Sequence, residues 1–374
     1  MPEASNLAAV VMWGGFALAL AFGAVANKTN FCTMGAVSDV VNMGHWGRMR
    51  MWMLAIAVAL VGANLLQLFG QVDLAQSIYR RSTSLNWLSL LLGGALFGVG
   101  MSLAGGCANK NLVRLGGGSL RSLVVLTFLG ISAYMTLKGL FGQFRASVLD
   151  PVSIDLAGLG LKDQGLGGLV ARATGLPPSQ ALVVTAGLAA LALGAVALKD
   201  QRFRSNLSQV LGGVVIGGLV VAGWYLTGHL GYGENPETLE TVYFATNSRT
   251  LESLSFVAPV AYSLELLMLW TDKSLHASFG IAAACGVVIG SAAYALAAGK
   301  FRWEGFASMS DLRNQLLGAV LMGFGGVTAA GCTVGQGLTG ISTLAIGSVL
   351  ALAGILGGSV ATLKYISWRE SRDD

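Results

Sequence analysis

Nine apolar runs, each about long enough for a helix to cross a lipid bilayer, dominate this chain of 374 residues. They are Leu7–Ala26, Met51–Gly70, Trp87–Gly106, Leu120–Phe144, Ser179–Leu198, Ser208–Gly228, Ala277–Gly299, Asn314–Gly331 and Thr343–Ile366. In hydrocarbon every backbone N–H and C=O must be satisfied within the protein, so runs of this length predict α-helices. Composition agrees: 54% of residues are hydrophobic and 11% charged, a balance too apolar for a soluble domain. The expected class is an all-α membrane protein with about nine transmembrane helices. Two apolar pieces, "TNFCTMGAVSDVV" and "PVAYSLELLMLWTD", are too short to cross and suit re-entrant or interfacial helices. The 53 glycines fit membrane bundles, where small residues let backbones approach closely.

The chain repeats itself. At a constant offset, Gly93, Leu96, Gly98, Gly100, Ala104, Gly106 and Cys107 fall on Gly318, Leu321, Gly323, Gly325, Ala329, Gly331 and Cys332 without a gap. The flanking runs pair as well, the first four with the last four. The expected organisation is a first repeat over residues 1–145, a linker with one span over 146–200, and a second repeat over 201–374. The single linker span inverts the second copy, giving the pseudo-two-fold, inverted-repeat scaffold common in transporters. A weaker third match sets Gly23 before Cys32 as Gly98 precedes Cys107, and its fourth counterpart places Leu226 where Cys32 stands.

Charge placement gives an orientation. Fifteen of the 23 Lys and Arg residues fall on the side that would hold the C-terminus, seven on the other, and Lys138 lies inside a run. The positive-inside rule makes the richer side cytoplasmic, with the N-terminus periplasmic and the C-terminus cytoplasmic in a bacterial inner membrane. The opening "MPEASNL" lacks a basic leader stretch, so the first run is expected to be a span. Basic residues scattered singly between spans read as topology signals, not as a nucleic-acid surface. The acidic segment Gly231–Ser255, with Glu234, Glu237, Glu240 and Glu252, is expected on the periplasmic side.

Three of the four cysteines stand where an apolar run breaks: Cys32 in "NKTNFCTMG", Cys107 in "GGCANKNLVRLGGG" and Cys332 in "AGCTVGQGLTGIS". Broken helices at membrane depth are tolerated only inside protein or along a cavity, and half-helix N-termini there favour anions. Lys28, Lys110 and Arg114 lie close by in sequence and add positive charge. A thiol is a weak donor and a soft, polarizable contact. It suits a guest with an exposed sulfur atom, and thiosulfate combines such an atom with an anionic end. The expected substrate-binding residues are Cys32, Cys107 and Cys332, with Lys28, Lys110, Asn109, Gln336, Gly106 and Gly331 as walls. Cys285 reads as a core filler, and Glu265 as the polar edge of an interfacial helix. No CxxC spacing and no nucleotide-binding loop occur, so no metal, cofactor, catalytic residue or ATP-driven step is expected.

The segments "NFCTMGAVSD", "AGGCANKNLVRLGGG" and "AAGCTVGQGL" resemble the three cysteine motifs of the YeeE/YedE sulfur-transport family, and the resemblance covers essentially the whole chain. It implies an hourglass-shaped, all-helical inner-membrane permease that imports thiosulfate, with functional thiols at Cys32, Cys107 and Cys332. It also implies a small cytoplasmic TusA-like sulfurtransferase as partner. Two rival readings remain at this point. A soft-metal permease passing Cu(I) would use the same thiols, and a membrane-bound persulfide sulfur-transfer enzyme would need an activated thiol open to the cytoplasm.

Overall fold

The computed structural model describes residues 2–235, 239–306 and 308–373; Glu237 lies outside the described residues. The first half is built from α1 (Pro2–Thr29), the short α2 (Thr33–Met43), α3 (Gly47–Leu68), α4 (Trp87–Leu103), the short α5 (Ala108–Gly116) and α6 (Leu120–Lys138). A bridge follows with α7 (Leu140–Phe144), α8 (Leu166–Thr174), α9 (Pro178–Leu198) and α10 (Gln201–Ser205). The second half holds α11 (Leu207–Tyr225), the short α12 (Val257–Met268), α13 (Phe279–Ala297), α14 (Met309–Thr328), a short helical segment over 333–340, and α15 (Ile346–Asp373). Two small antiparallel pairs, β1 (Ser84–Leu85) with β2 (Ile154–Asp155) and β3 (Tyr232–Glu234) with β4 (Thr241–Tyr243), lie in connections.

Among the described residues, 8 helices are long and apolar enough to cross a membrane. The ninth expected span, Asn314–Gly331, falls on α14, a helix of 20 residues that is not among those 8. Asp311, Arg313, Asn314 and Gln315 in its opening turns dilute its apolar character. It packs against α4 and α6, so protein rather than lipid surrounds much of it. The run expected over Leu120–Phe144 is divided. Helix α6 ends at Lys138, Gly139 turns extended, and α7 starts afresh. At that end Lys138 Nζ donates to Glu265 Oε1 at 2.5 Å, and Tyr134 donates to the same oxygen at 3.2 Å. Glu265 is therefore the buried anchor of α12 on α6.

Packing follows the glycines. Helix α1 packs on α13, α3 on α11, α4 on α15, and α14 on both α4 and α6. Between α4 and α14 a β-carbon on Gly100 would meet the Gly318 carbonyl at 2.6 Å, and one on Gly318 would meet the Gly100 carbonyl at 2.6 Å. Gly93 and Gly325 exclude each other in the same reciprocal way, at 2.9 and 2.5 Å. Backbone-to-backbone contact of this kind replaces the hydrophobic drive that lipid removes between helices.

The connections sort into two sides. On the side where α1 begins, Arg80 reaches Asp163 at 2.6 Å and the Thr343 carbonyl at 3.3 Å. On the side where α15 ends, Arg302 N–H bonds to the Gly117 carbonyl and Leu120 N–H to that of Glu304, at 3.0 and 2.9 Å. Both partners of the Arg80–Asp163 pair are largely buried, with 7% and 19% side-chain exposure. Breaking a buried pair from one side leaves a stranded charge. Arg80→Met is expected to destabilise the protein by about 3–5 kcal/mol, read as a lower melting temperature in detergent. Adding Asp163→Leu should restore part of the loss.

Candidate functional site

One local device makes all three cysteine breaks. Two residues ahead of each thiol the chain turns left-handed, at Asn30 (φ 56), Gly105 (φ 66) and Ala330 (φ 54). The next N–H then bonds to the carbonyl five residues back in the helix just ended: Phe31 to the Ala26 carbonyl at 3.0 Å, Gly106 to Met101 at 2.9 Å and Gly331 to Gly326 at 2.7 Å. This is the Schellman ending, in which the left-handed residue lets the final carbonyls be satisfied. The cysteine follows directly and starts a new short helix, its carbonyl accepting the N–H of Ala36, Asn111 or Gln336 at 2.9, 3.0 and 2.7 Å respectively.

Each thiol thus sits at the positive N-terminal end of a short helix. Cys32 Sγ accepts the Gly35 N–H at 3.3 Å, and Cys332 Sγ accepts that of Gly335 at 3.4 Å. Cys107 makes no such cap bond. Its thiol lies instead beside the Cys32 thiol and the Thr333 hydroxyl. The three sulfurs are 4%, 1% and 0% exposed as residues. Residues distant in sequence therefore meet at the centre: Cys32 touches Cys107, and Thr333, next to Cys332, touches Cys107 from the other half.

On the side of Cys332 the chain leaves open space. A cavity of about 260 Å³ is bounded by Tyr79, Glu252, Ser255, Tyr262, Ala330 and Gly331. A second, of about 230 Å³, shares Tyr79, Arg145 and Ala330 with it and adds Gln164, Gln336 and Ser348. Tyr79 hydrogen-bonds with Ser255. A β-carbon on Gly335 would meet Ser255 Oγ at 2.6 Å and the Tyr79 hydroxyl at 3.3 Å, so these two hydroxyls stand over the helix that Cys332 opens.

The remaining wall residues distribute as follows. Lys110 Nζ donates to Asn30 Oδ1 at 2.7 Å, tying α5 to the break before Cys32. Arg114 donates to the Gly105 carbonyl at 2.9 Å. Asn109 and Gln336 are buried, each with an amide oxygen that makes no hydrogen bond, while Gln336 Nε2 donates to the Ala329 carbonyl at 2.5 Å. Gly106 and Gly331 occupy the bends, their missing β-carbons about 3.1 Å from Lys110 and Gln336 side-chain carbons. Lys28 stands apart, exposed on the last turn of α1.

Two expectations change. Leu226 does not occupy a break: α11 continues through it in a π-helical turn to Leu230. The residue capping the short α12 is Phe256, because the β3–β4 hairpin and its flanks are inserted between. Cys285 is not core filler. It is exposed on the outer face of α13, in a shallow apolar groove with Leu123, Leu126 and Ile289.

Sequence reading passed over Tyr79, Ser255, Thr333 and Trp52. Thr333 carried a signal, since a threonine follows Cys32 as well. Trp52 packs on Gly337, with its buried indole N–H unpartnered; nothing in its own run distinguishes it. Among the described residues no group of three or more His, Cys, Asp or Glu is placed to hold a metal ion.

Comparison with known proteins gives the family. A family model described as "Sulphur transport" matches residues 28–361. The chain is 27% identical over 352 residues to "Thiosulfate transporter TsuA" of Spirochaeta thermophila, covering 91% of this chain and 94% of that one. It is 26% identical over 335 residues to the Escherichia coli protein of the same name, covering 84% and 83%. With the match running from the turn that leads to Cys32 through most of α15, this multi-pass membrane protein belongs to the sulphur transport family.

Proposed function

We propose that the protein imports thiosulfate, or a closely related sulfur anion, along the line Cys332, Cys107, Cys32. The observation that carries this reading is the meeting of the Cys32 and Cys107 thiols with Thr333, the residue after Cys332, at three helix starts that share one backbone turn. Helix N-termini attract the anionic end, and the sulfhydryls offer soft contacts to the terminal sulfur. Contacts that weak let a guest move on, as conduction requires.

In this reading the two halves are inverted repeats, supported by the reciprocal exclusion of Gly93 with Gly325 and Gly100 with Gly318. The cavities above Cys332 form the periplasmic vestibule. Cys32, Lys110 and Arg114 form the cytoplasmic exit, where a TusA-like sulfurtransferase would collect the product. Radiolabelled thiosulfate uptake into proteoliposomes tests the proposal, with sulfate, sulfite, selenite and Cu(I) as competitors. Inhibition by unlabelled thiosulfate and not by sulfate is expected; uptake of Cu(I) indifferent to thiosulfate would sink it.

Glu252 sets the pH dependence. Its carboxylate lines the first cavity and accepts the Ser248 N–H at 2.8 Å. Burial raises its pKa above the usual 4.5, so it remains protonated to a higher pH than a free side chain. As pH rises it ionises and repels an incoming anion; as pH falls the repulsion is lost. Uptake should therefore increase as pH falls, and Glu252→Gln should flatten that slope. Tyr79, Tyr262 and Arg145 share the cavity, and none of them supplies a second carboxylate.

A further inference from the structure

The side of the protein where α15 ends carries a polar cavity that the thiol line does not touch. It measures about 230 Å³ and is walled by His45, Arg50, Asp200, Arg202, Asn206 and Gln209. Both of its flanks are anchored. The corner between α2 and α3 is fixed by Gly44 (φ 65), which closes α2, and by the His45 N–H bond to the Asp39 carbonyl at 3.0 Å. Opposite it, α10 is pinned by Phe203, only 2% exposed.

The electrostatics of this space are unbalanced. Arg50 Nε and Nη1 are buried and make no hydrogen bond. The nearest carboxylate, Asp200, stands 3.6 Å from Nη2, and it also caps α10 by accepting the Arg202 N–H at 2.9 Å. A buried donor left without an acceptor costs about 1–3 kcal/mol, more when charged. Arg202 is a second arginine among the lining residues. With one carboxylate against two arginines, the lining is net basic, and Asn206 and Gln209 add polar side chains.

We infer that this cavity binds a tetrahedral oxyanion, a phosphate- or sulfate-type group, gripped by Arg50 and closed over by Arg202. The planar guanidinium fork matches the paired oxygens of such a group. The volume takes one group and its waters and falls below the range of about 300–1,000 Å³ usual for drug-sized ligands. The group arrives either free from solution or as the headgroup of an anionic lipid. Trp46 beside it is 44% exposed, in the manner of aromatic residues that rest at headgroup level. Its occupant would tie the corner after α2, the helix that Cys32 opens, to the α10–α11 connection.

The test uses the full chain in phosphatidylcholine nanodiscs titrated calorimetrically with inorganic phosphate. One saturable site is expected, weakened at least about tenfold (about 1.4 kcal/mol) by Arg50→Gln and by Arg202→Gln, and less by Arg50→Lys. In nanodiscs containing phosphatidylglycerol, native mass spectrometry distinguishes the source. A headgroup site retains phosphatidylglycerol in the wild type and loses it in both Gln variants, with no phosphate binding in phosphatidylcholine alone. Binding or retention that is equal in wild type and variants overturns the inference, as does the absence of both. Arg202 is exposed, so its variant carries the test if Arg50→Gln does not fold. Thiosulfate uptake is not the readout, which keeps this result separate from the reading of the thiol line.

Discussion

Cys332→Ala and Cys107→Ala are each expected to reduce thiosulfate uptake by at least about 100-fold in proteoliposomes containing equal amounts of folded protein. Both residues are buried, at 0% and 1% exposure, so a guest reaching them has shed much of its water. Desolvating an anion with no compensating contact costs several kcal/mol, and about 2.7 kcal/mol already corresponds to 100-fold. Alanine removes the sulfur but leaves the main-chain bonds of the Schellman ending and of the next helix, losing at Cys332 only the cap bond from the Gly335 N–H. Serine separates two causes. It keeps a donor and removes the soft atom, so near-normal uptake in Cys107→Ser would show that hydrogen bonding, not sulfur, is the property used. Cys285→Ala, on the outer face, should transport normally. Undiminished uptake in both alanine variants would falsify the thiol line.

The second large effect is on folding. Gly100→Val and Gly318→Val should each abolish monodisperse protein after membrane extraction. Each places a branched side chain where one β-carbon alone would stand 2.6 Å from the opposing carbonyl oxygen. Ordinary overpacking costs about 1–3 kcal/mol because side chains can rotate away; here the obstacle is main chain and cannot. The two sites face each other, so Gly100→Ala and Gly318→Ala combined should cost less than their separate effects added. Gly218 provides the control. A β-carbon there meets nothing within 4 Å, and Gly218→Ala should stabilise α11 by about 0.5–1 kcal/mol. Size-exclusion profiles and melting temperatures read both outcomes.

Hydrophobic run length made the membrane helices legible in the sequence, because lipid forces long apolar segments into helix wherever they lie. The breaks at Cys32, Cys107 and Cys332 were legible for the same reason. What escaped was set by tertiary contact. The end of α6 at Lys138 depends on Glu265, 127 residues away in sequence. Leu226 was misplaced because the hairpin between α11 and α12 shifts the register of the weaker repeat. Asn30 and Ala330 gave no local sign of the left-handed turn that glycine announces at Gly105. Tyr79 and Ser255 reach the thiol region from connections, where periodicity carries no information.

At the shared ending of α1, α4 and α14, the same pattern of main-chain hydrogen bonds sets each cysteine's Cα at the mouth of its helix. Thr333 Oγ1 and Asn109 Oδ1 make no hydrogen bond, so these neighbours can vary without disturbing that main-chain pattern. A substitution at Thr333 or Asn109 would then alter the surroundings of the thiols while the backbone that presents them stays as it is.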